Sequence, residues 1–161
     1  MTDSALADKI AEVLDSSGLT VAVAESLTGG MLASKLAEAP GASKWFRGAV
    51  VAYVSDVKHQ LLGVPPGPVV TAQAAEAMAG GVRRLLAADV AVALTGAAGP
   101  DGQDGQPPGT VFFGLSDGGQ SQVEHRCFDY EDPGQVCSDA VTEALQLLYG
   151  FLCTGAAARC R

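Results

Sequence analysis

Val21-Ala22-Val23-Ala24-Glu25-Ser26-Leu27-Thr28-Gly29-Gly30-Met31 is the stretch whose reading decides the fold. A short run of valine and alanine reaches a serine, passes through threonine and two glycines, and opens into Met31-Leu32-Ala33-Ser34-Lys35-Leu36, whose apolar spacing is helical. That is strand, tight turn, helix. Such a turn exposes the Ser26 hydroxyl at the carboxyl end of a strand, and Gly29 and Gly30 let backbone N–H groups at the helix start approach an anion or a developing oxyanion. The plainer reading makes Ser26 or Thr28 a helix cap. The rest of the chain has to decide between them.

Upstream, Asp3 or Ser4 can cap a first helix with Leu6, Ile10, Val13 and Leu14 on one stripe, ended by Gly18, and Thr20 to Ala24 forms the first strand. Downstream, the helix from about Gly30 to Glu38 gives way to a turn at Pro40-Gly41. A second strand lies within Phe46 to Tyr53 and reads as buried on both faces. Ser55 or Asp56 can cap a short helix through Lys58 to Leu62, and Thr71 starts a long one with Ala74, Ala75, Met78, Val82 and Leu85 as a small-residue stripe suited to close packing on a sheet. Val90 to Leu94 is unbroken in its apolar character, as a central strand covered on both faces should be.

That strand runs into a loop rich in Gly and Pro, from Thr95 to Gly109, and long loops at strand carboxyl ends are where open α/β sheets bind ligands. Thr110 to Leu115 and Gln122 to Phe128, joined through Asp117-Gly118-Gly119, form an antiparallel hairpin. A last helix follows Pro133, with Val136, Ala140, Ala144, Leu147 and Leu148 near one face. Residues from about 153 to 161 are expected to fray. Together, residues 1–161 read as a single three-layer α/β domain with a mixed, mostly parallel sheet and a C-terminal antiparallel hairpin.

Composition excludes several classes. The chain has 161 residues, 48% hydrophobic and 17% charged, which suits one compact domain. Its net charge of −8 argues against a nucleic-acid partner, since phosphate backbones are met by basic faces. No apolar stretch reaches the ~20 residues of a membrane span and the start has no basic n-region, so a cytoplasmic protein without membrane attachment is expected. Cys127, Cys137, Cys153 and Cys160 show no Cys-x-x-Cys spacing, and His59 and His125 no ligand spacing; buried free thiols and no metal follow.

Four separated stretches, in order, now carry a resemblance. They are Ala24-Glu25-Ser26-Leu27-Thr28-Gly29-Gly30; Tyr53, then Lys58 and Leu61-Leu62-Gly63-Val64; Thr95-Gly96-Ala97-Ala98-Gly99-Pro100; and Pro108-Gly109-Thr110-Val111-Phe112-Phe113-Gly114. Over about residues 5 to 150 the chain resembles the CinA C-terminal-domain family, which contains nicotinamide-nucleotide amidohydrolases. Longer members carry a further N-terminal domain, and none is expected within these 161 residues. The resemblance implies deamidation of nicotinamide mononucleotide to nicotinic acid mononucleotide and ammonia, with a small-molecule nucleotide as the partner and homo-oligomerisation left open.

Amide hydrolysis needs a nucleophile, a base, donors for the oxyanion and an acid for the leaving amine. With neither histidine in a Ser/His arrangement, Lys58 is the base, provided burial lowers its pKa. The resemblance puts the same burden on Ser26, Tyr53 and Lys58: Ser26 attacks, Lys58 takes the proton directly or through Tyr53, and water hydrolyses the acyl-enzyme. No metal or organic cofactor is called for. Thr28, Gly29 and Gly30 are the expected oxyanion site, and Thr95, Gly96 and Gly99 the expected closure over the nucleotide.

Taken singly, Tyr53 also fits a core aromatic, and Lys58 a solvated surface charge. A protein that only binds nucleotide or a partner, and a hydrolase of another small carboxamide, are the competing functions. The family commonly shows Tyr-Ser-Asn-Glu-x-Lys where this chain has Tyr53-Val54-Ser55-Asp56-Val57-Lys58, and a Gly-Asp-Arg-x-x-x-Arg pattern before the last helix. Here Tyr130 to Cys137 contains no arginine, which leaves Arg126 or another cation to meet a phosphate, or a less charged amide as substrate.

Overall fold

Two strands alternate valine with alanine, and that alternation sets the two faces of the sheet. The computed structural model describes residues 1–129 and 131–156. In it β1 (Val21–Glu25) and β3 (Val90–Gly96) lie side by side and parallel, Val21 opposite Val90 and Ala22 opposite Ala91. Both are buried along nearly their whole length. The valines, with Leu94 of β3, pack against the helices of one face: α1 (Asp3–Ser17), α2 (Met31–Ala37) and α6 (Pro133–Phe151). Ala22, Ala24, Ala91 and Ala93 face the other way, against Ala74, Met78, Ala79 and Val82 of α5 (Ala72–Leu85). Alanine on both partners lets α5 approach the sheet closely.

The sheet has five strands in the order β2-β1-β3-β4-β5. β2 (Phe46–Val51) is parallel to β1, while β4 (Thr110–Ser116) and β5 (Ser121–Cys127) form the expected hairpin, antiparallel to each other and to β3. Three strands of the five therefore run parallel, and helices cover both faces, as the sequence predicts for a three-layer α/β domain.

Several local expectations are corrected. β2 is partly exposed rather than buried on both faces, because it lies at the sheet edge with β1 as its one neighbour. A one-turn helix, α3 (Ala42–Trp45), precedes it. Thr2, not Asp3 or Ser4, caps α1, its Oγ1 accepting from the Ala5 N–H at 3.1 Å. α4 (Ser55–Leu62) begins after Val54 without a side-chain cap, so neither Ser55 nor Asp56 has that role. The chain expected to fray from residue 153 instead extends α6 through a π-helical turn, Leu152–Ala156; residues 157–161 lie outside the described residues. Cys127 is exposed and Cys137 and Cys153 half-buried, so the described thiols are free but not core residues.

One close approach is absolute. A Cβ on Gly114 of β4 would stand 2.2 Å from the Ala75 carbonyl oxygen of α5, a backbone atom that cannot move without shifting the helix. Gly114→Ala should therefore lower stability by at least about 1–3 kcal/mol, the usual cost of overpacking a core, read as an earlier denaturation midpoint at unchanged m-value. An unchanged midpoint would mean that α5 does not sit this close to the sheet.

Candidate active site

From β1 the chain crosses to β2 on one side, and the return to β3 places that strand on the other. Between the carboxyl ends of β1 and β3 lies the point where the strand order reverses, the usual ligand crevice of an open α/β sheet. Here it is a cleft of about 310 Å³, lined by Ser26 and Leu27 after β1, by Tyr53 after β2, and by Gly96 to Gln103 after β3.

Glu25 organises the turn that carries Ser26. Its carboxylate is fully buried and accepts three hydrogen bonds: from Thr28 Oγ1 at 2.6 Å and from the backbone N–H groups of Leu32 and Ala33 at 2.9 Å each. The cap of α2 is thus an acid seven residues before Leu32, and neither Ser26 nor Thr28, so the plainer reading of the opening stretch does not hold. Gly30, at φ 108°, supplies the left-handed turn into the helix. The Leu27 carbonyl takes a further bond from Cys137 Sγ of α6 at 3.3 Å; burial, and secondarily Asp132, raise that thiol's pKa and keep it protonated as a donor.

Ser26 itself is left unused by this scaffold. It is buried at the cleft, and its hydroxyl makes no hydrogen bond among the described residues. Leu27, next in the chain, also lines the cleft, and its amide is likewise without a partner among them. Gly29 N–H is spent on the Ser26 carbonyl at 3.1 Å, and Thr28 is buried with its hydroxyl on Glu25. Of the expected oxyanion residues, Thr28, Gly29 and Gly30 are absent from the cleft lining, and Leu27 takes the place beside Ser26.

Tyr53 and Lys58 exchange the environments their residue types suggest. Tyr53 is 68% exposed and lines the cleft, whereas Lys58 is 2% exposed and is not among the described residues that line it. Lys58 Nζ donates to the Tyr53 carbonyl oxygen at 3.3 Å. Desolvation lowers the lysine's pKa, and the Asp104 carboxylate pulls it partway back. The positive end of α2 is not the cause, because Glu25 already occupies it.

The long loop is tied down rather than loose. Asp104 Oδ2 accepts from the Val69 and Val70 N–H groups at 2.8 and 3.0 Å, and Gln103 and Gln106 pair backbone to backbone. Gly96 and Gly99 line the cleft as expected; Thr95 does not, its buried hydroxyl donating to the Val69 carbonyl at 2.8 Å. Arg126 is not a spare cation either: it pairs with Glu124 at 3.2 Å and with Glu143 of α6 at 2.9 Å. Among the described residues no group of three or more His, Cys, Asp and Glu is placed to hold a metal ion, and no helix is long and apolar enough to cross a membrane.

Fold and cleft together define an α/β protein with a serine presented at the switch point of its sheet. The family model described as CinA C-terminal domain matches residues 3–152, and the chain belongs to that family. A competence-damage inducible protein of Desulforamulus reducens is 40% identical over 158 residues, covering 93% of this chain and 38% of the relative. The chain thus spans well under half the length of that curated relative. Among solved structures, a competence-damaged protein (CinA) superfamily protein from Enterobacter cloacae superposes with a TM-score of 0.90 at 32% identity, over 94% of this chain and 93% of that one. A superfamily protein from Escherichia coli gives 0.88 at 34% identity, over 92% and 90%.

The Glu25 clamp can be tested by itself. Glu25→Gln keeps the volume but turns an amide NH₂ toward one of the N–H donors, so stability should fall by about 1–3 kcal/mol, the cost of an unsatisfied buried polar group. Urea denaturation reads the difference. A variant as stable as the parent would show that the start of α2 does not depend on this carboxylate.

Proposed function

We propose that the protein is an amidohydrolase that cleaves the carboxamide of a nicotinamide nucleotide, converting nicotinamide mononucleotide to nicotinic acid mononucleotide and ammonia. The observation that carries this is an unbonded Ser26 hydroxyl on a cleft that Tyr53 also lines, the Tyr53 carbonyl in turn holding a buried lysine whose pKa is lowered. Family membership supports it in kind, and the order of Ser26, Tyr53 and Lys58 along the chain supports it in detail.

In this reading Ser26 Oγ attacks the carboxamide carbon and a C–O bond forms as the serine proton passes to neutral Lys58. The proton passes to the lysine directly or through the phenol of Tyr53, a residue that lines the cleft with Ser26, while the Tyr53 carbonyl holds Lys58 Nζ in position. The Leu27 N–H donates to the oxyanion. Collapse breaks the C–N bond, and ammonia leaves with the proton held on Lys58. Water then attacks the ester, its proton travels by the same route, and Ser26 is restored with a carboxylate as product. Neither metal nor organic cofactor enters the cycle.

Ammonia release from nicotinamide mononucleotide by chelator-treated protein is the test. Ser26→Ala should reduce it to background, and Lys58→Arg, which cannot surrender its proton, should cost about 10²–10⁴-fold in kcat without unfolding the protein. A base works deprotonated, so the rate should rise with pH through the titration of Lys58. Because burial lowers that pKa, the rising limb should lie on the acid side of the 10.5 of an ordinary lysine. Ammonia release that survives Ser26→Ala would contradict the assignment.

A further inference from the structure

One wall of the cleft ends in a hairpin. Gly102 and Gln103 line the cleft with Ser26, and the chain then turns back: Asp104 and Gly105 are both left-handed, at φ 55° and 77°, and Gln103 and Gln106 exchange backbone hydrogen bonds at 3.1 and 2.9 Å. That is a two-residue turn, which an Asp-Gly pair suits. The side chain at its first corner reaches a distant segment. Asp104 Oδ2 accepts from the Val69 and Val70 N–H groups at 2.8 and 3.0 Å, and the Val69 carbonyl accepts in turn from Thr95 Oγ1 of β3 at 2.8 Å. One carboxylate thus seats the wall on the body of the domain, and the two neutral amides that hold it leave its charge uncancelled.

Lys58 is where that charge acts. Buried, with the Tyr53 carbonyl as acceptor at 3.3 Å, it becomes a poorly compensated ammonium on taking the serine proton, and the Asp104 carboxylate opposes its desolvation. Other charged groups nearby are turned to solvent or to other partners. On α4 itself Asp56 is exposed and His59 Nδ1 pairs with the Val64 carbonyl at 2.9 Å. On α5, which packs against α4, Glu76 accepts from Ser121, Arg83 donates to the Ala88 carbonyl, and Arg84 lines a separate cavity with Ser116 and Gly118. We propose that Asp104 is a positioning residue of the reaction: seated on Val69 and Val70, it fixes the cleft wall at Gly102 and Gln103, and from there its charge steadies the ammonium that Lys58 becomes. The proposal rests on the reading of Ser26 as nucleophile and Lys58 as base; Asp104 itself makes and breaks no covalent bond.

Asparagine and alanine separate the two roles. Asp104→Asn keeps an oxygen for Val69 and Val70 and tolerates the left-handed turn, so it removes the charge alone; its mass is checked against deamidation, to which Asn before Gly is prone. Without the carboxylate the lysine's pKa falls further and its neutral form persists to lower pH. The rising limb of the kcat profile for nicotinamide mononucleotide should therefore move to lower pH, and its plateau should drop about tenfold as the base weakens, with KM unchanged. Asp104→Ala gives up the seat as well and should also raise KM about tenfold. The titration of Lys58 is read apart from turnover, from the side-chain resonance of isotopically labelled lysine assigned by its absence in Lys58→Arg, and should move to lower pH in both variants. A rising limb or Lys58 titration unmoved in Asp104→Asn, or a KM unmoved in Asp104→Ala, overturns the proposal while leaving the amidohydrolase intact. Should Asp104→Asn not fold, Asp104→Glu decides: it keeps the charge, so a limb near the parent's supports the proposal and a limb at lower pH overturns it. Parent protein without Ser26-dependent ammonia release overturns both.

Discussion

The site depends on one buried carboxylate. Glu25 ends β1 with its side chain accepting from Thr28, Leu32 and Ala33 and its carbonyl accepting from the Ala52 N–H at 2.7 Å. The side chain fastens α2 to the strand, and the carbonyl fastens the chain just ahead of Tyr53. A buried acid is costly unless its oxygens are filled, and filling them with a hydroxyl and two first-turn amides relieves Ser26 of any capping duty. The serine is free to face a ligand because its neighbour does the structural work.

Lys58 carries the opposite cost. An ammonium taken out of water and given one carbonyl acceptor at 3.3 Å is poorly compensated, and its pKa falls accordingly. Groups with perturbed pKa values beside a cleft are what acid–base chemistry requires, since a lysine at its ordinary value holds its proton at neutral pH. Asp104 moderates the fall, and its backbone tethers on Val69 and Val70 fix the loop bearing it. The loop, Lys58 and Ser26 are thus held by separate elements: tethers on Val69 and Val70, the helix α4, and the turn after β1.

Much of this is legible in the chain, for local reasons. Valine–alanine alternation in β1, the small-residue stripe of α5 and the apolar run of β3 are short-range patterns, and the fold built from them matches the observed layers. Of the residues singled out by their order along the chain, Ser26 and Tyr53 line the cleft, while Lys58 is not among the described residues lining it. What the chain does not display is decided between distant elements. The edge position of β2 follows from sheet order, which no strand encodes by itself. Glu25 as a cap is hidden because caps are sought beside the first helical residue, whereas this one reaches Leu32 and Ala33 from the strand before the turn. The pairing of Arg126 with Glu143 joins β5 to α6 across 17 positions and removes a cation that the sequence offers as a phosphate partner.

The central claim is a covalent ester on Ser26. Hydroxylamine, a better nucleophile than water toward an acyl-enzyme, distinguishes that route from direct attack of water on the amide. During turnover of nicotinamide mononucleotide in rising hydroxylamine, a hydroxamic acid should appear at the expense of the carboxylic acid, with neither product formed by Ser26→Ala protein. Ammonia release accompanied by the carboxylic acid alone, at every hydroxylamine concentration, would contradict the acyl-enzyme and with it the role given to Ser26.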